Sequence, residues 1–356
     1  MLLVVNAGSS SIKLAVFGAD LREILVGSVT EIGGAGRLKI GSADQACVVA
    51  DHKSALALTF EVMAQQGVAL ADLTAAAHRV VHGGEALAQP MRVTQAVIEG
   101  IEACVPLAPL HNPGNLTAIR ALQALAPDLP QFVSFDTAFH STNPEVAVNY
   151  ALPVVERARG LRRYGFHGIS YSGLVRHLAQ RGALPERLLA LHLGNGASLC
   201  AIRDGVSLAT TMGYSPLDGI TMGTRTGGID GNAVLRLAEL HGVAGAGRIL
   251  NRESGLLGLG GHSDMRALHA AGTAEAAFAI DHFCYWAVRH AGSMIAAMGG
   301  LDGIAFTGGI GENDAVVRVR IVDGLAWAGA VPVNIVPAAE ERSIAAEALA
   351  LLQAKV

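Results

Sequence analysis

The chain has 356 residues, of which 51% are hydrophobic, too long for one small core and suited to two packed domains. Its net charge of -4 argues against a nucleic-acid footprint, and four lysines among scattered arginines leave no polybasic patch for a membrane surface. Cys47, Cys104, Cys200 and Cys284 are far apart and form no Cys-x-x-Cys pair, so they read as small buried hydrophobes of a reducing compartment. The N-terminus opens directly on a strand pattern without a signal-peptide profile, and no apolar stretch is long enough to span a bilayer. The expectation is a soluble, cytoplasmic, globular protein.

Leu2 to Val5 and Ile12 to Phe17 are apolar runs joined by Asn6-Ala7-Gly8-Ser9-Ser10-Ser11. Strand, small hydroxylated turn and strand make a hairpin. Its turn N–H groups and hydroxyls can converge on an anion, with Lys13 just beyond; the plain alternative is an ordinary serine-rich hairpin. Ile24 to Ile40 reads as further strands around a Gly33–Gly36 turn. His52 to Gly67 has helical spacing through Leu56, Phe60, Met63 and Ala64. A strand follows at Ala75 to Val81, then a helix at Val93 to Cys104 with Thr94 as N-cap, a loop at Leu110 to Pro113, and a helix from Asn115 to Leu125. Phe132 to Phe135 is a buried strand that delivers Asp136 at its end, where α/β sheets place functional residues.

The second half repeats the alternation. Leu188 to Leu193 and Ala197 to Ile202 are strands around Gly194-Asn195-Gly196, and Arg203-Asp204-Gly205 is a tight turn. Glu275 to Met298 is a long apolar helix, buried or at an interface. Gly303 to Phe306 is a strand, and Thr307 to Gly311 leads into a helix through Asn313 to Val322. Ala338 to Gln353 is a terminal helix. The hairpins at residues 4–13 and 191–199 share one design, which suggests two related domains with an anion between their turns.

No Walker loop and no Gly-x-Gly-x-x-Gly dinucleotide fingerprint occurs. Instead, Gly308-Gly309-Ile310-Gly311-Glu312-Asn313 forms a third glycine-rich element between strand and helix, where backbone or a flat ring can approach closely. His78 and His82 have His-x3-His spacing but lie on a strand-like run with no further ligand nearby, so a metal pair is rejected.

Taken in order, Val5 to Lys13, His78-Arg79-Val80-Val81-His82-Gly83-Gly84, Pro109-Leu110-His111-Asn112-Pro113, Phe135-Asp136-Thr137-Ala138-Phe139-His140, Arg163 to Gly168, His192 to Gly196, Met222-Gly223-Thr224-Arg225, Ser263-Asp264-Met265-Arg266 and Phe306 to Asn313 cover nearly the whole chain. Together they resemble the acetate kinases, short-chain carboxylate kinases of the acetate and sugar kinase, Hsp70 and actin superfamily. The resemblance implies an α/β fold of duplicated actin-like (ribonuclease H-like) domains with an active-site cleft between them. The first domain would comprise 1–137 plus 341–356, and the second, nucleotide-binding domain 138–340. It implies Mg2+-dependent phosphoryl transfer from ATP to acetate, giving acetyl phosphate and ADP, in a homodimer without nucleic-acid or membrane partners; Mn2+ could replace Mg2+. Propionate or butyrate kinase, or a catalytically idle ATP-binding module, are the alternatives.

The resemblance also implies residue roles, and physics gives each a reason. Bringing two anions together requires cations and positioning more than covalent chemistry. Arg79 and Arg225 supply planar, permanently charged forks; lone arginines otherwise form surface ion pairs. His167 would donate to the transferring phosphoryl group, with His111 in support, whereas out of context His167 reads as a capping or core histidine. Asp136 would be catalytic. A carboxylate acceptor has no proton to lose, so Asp136 reads as orienting Mg2+-bound water or an arginine. Asn6 and Glu340 match the metal-associated positions. Val81, Leu110, Phe166 and Pro216 would line a small apolar pocket for acetate. His192, Leu193, Gly194, Asn195 and Gly196, with Lys13, would meet the nucleotide phosphates, and Asp264, Met265, Arg266 and Gly309, Ile310, Gly311, Glu312 and Asn313 the adenosine end. The departures are a shortened chain, Gly114 in place of a second proline, His262 in place of a small residue, and apolar neighbours before Glu340.

Overall fold

The computed structural model describes residues 1–354. The chain divides into two compact units. The first comprises Met1–Phe139, Gly168–Gly173 and the chain from Ala339 onward; the second comprises His140–His167 and Leu174–Ala338.

The first unit is built on an eight-stranded sheet. Its strands are β1 (Leu2–Ala7), β2 (Ile12–Phe17), β3 (Glu23–Thr30), β4 (Ala35–Ile40), β5 (Ala43–Val48), β6 (Ala75–Val80), β7 (Met91–Arg92) and β8 (Gln131–Phe135), in the order β5-β4-β3-β2-β1-β6-β8-β7. β1 to β5 form an antiparallel meander, and β6 and β8 run parallel to β1. Both faces of central β1 are covered, so it is a continuous apolar run. Leu3 and Val5 pack with Leu56 and Met63 of the helix His52–Gln65 and Leu122 of the helix Asn112–Leu125. Leu2 and Val4 point the other way, onto Ile344 and Ala345 of the helix Glu340–Gln353. Because β1, β6 and β8 are parallel, their C-terminal ends carry Asn6, Arg79 and Asp136 to one edge of the sheet.

The second unit has five strands, β9 (Arg187–Leu193), β10 (Ala197–Arg203), β11 (Val206–Thr210), β12 (Gly303–Thr307) and β13 (Val333–Ile335), in the order β11-β10-β9-β12-β13. Its antiparallel meander followed by two parallel strands repeats β3-β2-β1-β6-β8 of the first unit. The helix Ala274–Met298 is capped by the Thr273 hydroxyl and stopped by Gly299 at φ 72°. It buries Phe283, Ala287 and Met294 and exposes Phe278 and Tyr285.

Several local readings change, among them the helix expected from Asn115, which already begins at Asn112. The segment after Gly308 is two helices, Gly308–Asn313 and Ala315–Gly324, because Asp314 leaves helical geometry and caps the second through the Val317 N–H. The terminal helix begins at Glu340, after the non-helical Ala339. The sequence reading also passed over β5, whose residues are mostly exposed and lack an apolar alternation, and the helix Gly231–Arg248, which is kinked at Gly242.

Candidate active-site residues

In the first unit, Arg79 near the end of β6 is the hub. Its Nη2 and Nε donate to the two carboxylate oxygens of Asp136 at 2.5 and 3.2 Å, a bidentate fork, and its Nη1 reaches the Asn6 amide oxygen at 3.4 Å. The Glu340 carboxylate lies 4.0 Å from Nε. Asp136 is almost fully enclosed, with its side chain 3% exposed against 24% for Arg79. Its backbone is fixed as well, since its N–H donates to Val80 O at 3.1 Å and its carbonyl accepts from Gly168 N–H at 2.8 Å. The Asp136 carboxylate thus contacts an arginine, as one of the two roles expected of it requires.

Charge balance explains the protonation of this cluster. Burial works against the Arg79 cation, but Asp136 and then Glu340 more than offset it, and the net pKa is raised. Burial pushes the Glu340 carboxyl up; Arg79 opposes this, Glu341 adds to it, and Lys13 opposes it. Lys13 stands on β2 directly across the ladder from Asn6, exposed. Arg79 and Lys13 both work to offset the charge of this desolvated carboxylate.

His78 lies buried, its Nε2 2.7 Å from Gln131 Oε1, and burial pushes its pKa down to about 4. His82 is likewise pushed down by burial to about 4. Among the described residues no three His, Cys, Asp or Glu side chains converge as a closed metal cage. Val81 is buried, while Leu110 is exposed just before His111, which occupies the N-cap position of the helix Asn112–Leu125.

In the second unit, His167 adopts left-handed backbone geometry (φ 59°), unusual for a residue with a side chain. Its Nδ1 is 2.9 Å from the Ser198 hydroxyl, and its ring stacks on His192 with centroids 4.1 Å apart. Gly196 sits between His167 and Arg225. A Cβ there would lie 3.3 Å from His167 Nε2 and 3.7 Å from Arg225 Nη1, so glycine keeps the space between the two groups open. Arg225 is anchored by Nη1 donating to Pro216 O at 2.9 Å. Phe166 is buried, and its carbonyl receives His140 Nε2 at 2.9 Å.

The same unit holds a cavity of about 990 Å³, within the size range of small-molecule and cofactor sites. Gly194, Asn195, Asp264, Met265, Arg266, Gly309, Ile310 and Asn313, all singled out in the sequence, line it. Asp264 caps the helix Met265–Ala271 and grips Arg266, which holds its carboxyl down to about 2. Glu312 does not line the cavity; its carboxylate accepts from Gly308 N–H at 3.1 Å and Ala338 N–H at 2.8 Å, bracing the glycine-rich turn. Sequence reasoning missed His269 and Asp314, 2.8 Å apart in the cavity wall, because nothing local links residues 45 apart.

The profile of the acetokinase family matches residues 1–345. The acetate kinase of Nitrobacter hamburgensis is 42% identical over 391 residues, covering 99% of this chain and 96% of the relative. The acetate kinase of Micrococcus luteus is 43% identical over 364 residues, with 97% and 89% covered. Among solved structures, Porphyromonas gingivalis acetate kinase superposes with a TM-score of 0.93 at 33% identity over 99% of each chain. A propionate kinase from Francisella tularensis gives 0.92 at 33% identity, covering 97% of this chain and 98% of its own.

Proposed function

The chain belongs to the acetokinase family, and from that premise we propose that it transfers a phosphoryl group reversibly between ATP and acetate, directly and in line. The observation that carries the residue assignment is the Asp136–Arg79–Asn6 constellation at the end of three parallel strands. A guanidinium has five N–H donors; three are engaged there, and the others serve the acetate carboxylate. Asp136 fixes the fork in place and takes no proton from a substrate that has none to give.

Arg225 and His167 stabilise the transferring phosphoryl group. The Ser198 hydroxyl lies 2.9 Å from His167 Nδ1, and in the tautomer in which Nδ1 accepts from it, Nε2–H is the donor to a phosphoryl oxygen. A group with a dispersed charge and no covalent intermediate needs such fixed donors above all. The cavity of the second unit takes the nucleotide, with Gly194 to Gly196 toward its phosphates.

The donor set of the first unit fits Mg2+, and Mn2+ also. Asn6 offers an amide oxygen and Glu340 a carboxylate that burial leaves short of compensating positive charge, hard ligands of the kind such ions take in small number. Asn6 and Glu340 would hold the ion, which would neutralise phosphate charge during transfer.

The exposed Phe278 and Tyr285 of the helix Ala274–Met298 support a homodimer through that face. No helix among the described residues is long and apolar enough to cross a membrane; four free, buried cysteines support a reducing, cytoplasmic setting. The likeness to a propionate kinase favours propionate as a weaker second substrate. A coupled ADP-release assay with acetate, propionate and butyrate tests the reading. The highest specificity constant should belong to acetate; a higher one for propionate or butyrate reassigns the substrate. Nucleotide binding without turnover of any of the three contradicts a kinase.

A further inference from the structure

The β1–β6 ladder stops at Val5 and His78, although β1 runs on to Ala7 and β6 to Val80. Past that point the paired register gives out, and it is there that Asn6 and Arg79 stand. One side chain bridges the gap. Asn115, 2% exposed, donates its amide to Ala7 O at 2.7 Å and accepts from Val81 N–H at 3.2 Å. It serves one strand with a donor and the other with an acceptor, as an inserted peptide group would. One helical turn earlier, the equally buried Asn112 grips only one strand. It donates to His82 O at 3.0 Å and to Ile101 O at 3.5 Å, and accepts from His82 N–H at 3.1 Å.

The head of this helix lies unusually close to the first hairpin. A Cβ on Gly114 would come within 2.8 Å of Gly8 O, so the glycine that departs from the family pattern permits the approach. His52 Nε2 holds the same Gly8 carbonyl at 2.8 Å.

We propose that Asn115 is a positioning residue that sets the separation of β1 and β6 beyond their last paired residues, and with it the spacing of Asn6 and Arg79. It touches no substrate and acts through the backbones of Ala7 and Val81. The kinetic part rests on the functional reading of Arg79 and Asn6 given above; the structural part does not.

The test compares Asn115→Ala, Asn115→Asp and Asn112→Ala in the full chain. Asn115→Ala should lower kcat/KM for acetate about 10- to 100-fold, the scale of an ångström-level misplacement, while the Kd for ATP stays within about twofold. Asn112→Ala removes three hydrogen bonds where Asn115→Ala removes two, at comparable burial, so it should lower the urea midpoint at least as much but keep kcat/KM within about threefold of the unaltered chain. Asn115→Asp retains the acceptor for Val81 N–H and loses the donor to Ala7 O. It should keep slow hydrogen exchange at Val81 and still lose acetate turnover. Equal kinetic losses in the two alanine variants, or a matching loss of ATP affinity, overturn the proposal. If Asn115→Ala fails to fold, Asn115→Asp decides, and normal acetate kinetics in that variant count against it. If the unaltered chain turns over no carboxylate, the functional reading falls. The splint is then judged by a crystal structure of Asn115→Asp, in which an unchanged Asn6–Arg79 contact refutes it.

Discussion

Replacing Asp136 with asparagine keeps the shape of the side chain and removes the charge that holds Arg79. The pair is bidentate, at 2.5 and 3.2 Å, and its acidic member is enclosed. Breaking a buried pair by removing one partner costs about 3–5 kcal/mol, since the other charge is left uncompensated. Glu340, 4.0 Å from Arg79 Nε, retains part of that compensation, which places the expected loss near the lower end, about 3 kcal/mol. In a urea titration this is a midpoint shift of roughly 1–2 M for the first unit. Turnover should fall about 100-fold or more, because the guanidinium can swing away from the acetate position. Adding Arg79→Met to Asp136→Asn removes both charges. Glu340, already raised by burial, can then take up a proton, and stability should return to within about 1 kcal/mol of the starting protein while activity stays lost. A single Asp136→Asn that costs less than about 0.5 kcal/mol, or a double variant as unstable as the two single losses summed, would show that the pair is not the desolvated fork described.

Arg225→Ala should lower kcat about 1000-fold and leave ATP affinity within about threefold, because the group acts on charge that develops during transfer; equal losses in the two quantities would contradict that role. Gly223→Ala would drive a Cβ into the Asn195 side chain at the nucleotide loop. Its ATP Kd, read by calorimetry, should rise about tenfold, roughly 1.4 kcal/mol, and an unchanged Kd would remove Asn195 from the site. His78 and His140 are held neutral by burial, each pushed down from 6.5 to about 4. The unfolded chain therefore binds more protons between those values, and stability falls as pH drops from 6.5 towards 4, by up to roughly 3 kcal/mol per imidazole. Urea midpoints that stay level across that window would refute neutral burial.

The family of this chain and its main glycine-rich turns were legible in sequence because they are local. An apolar run, a turn of Gly, Asn and Ser, and a second apolar run specify a hairpin wherever they fall, and both hairpins form as read. Asp136 follows a short apolar run, Phe132 to Phe135, that reads as a buried strand, and the strand Gln131–Phe135 does end just before it. The short β7 and the exposed β5 escaped notice because edge strands carry little apolar periodicity.

Which charges meet was decided only in three dimensions. Asp136 holds Arg79 from 57 residues away, and Asn6 joins from 73 residues on the other side. Both encounters depend on β1, β6 and β8 running parallel in adjacent positions, which periodicity along the chain does not encode. The same holds for Glu312, whose carboxylate braces two backbone N–H groups, and for Asn115, which bridges two strands where their own hydrogen bonding ends. A sequence specifies which residues can carry charge and where each element turns. Register and strand order, set by how the apolar faces pack, determine which of those charges are brought within 4 Å of one another.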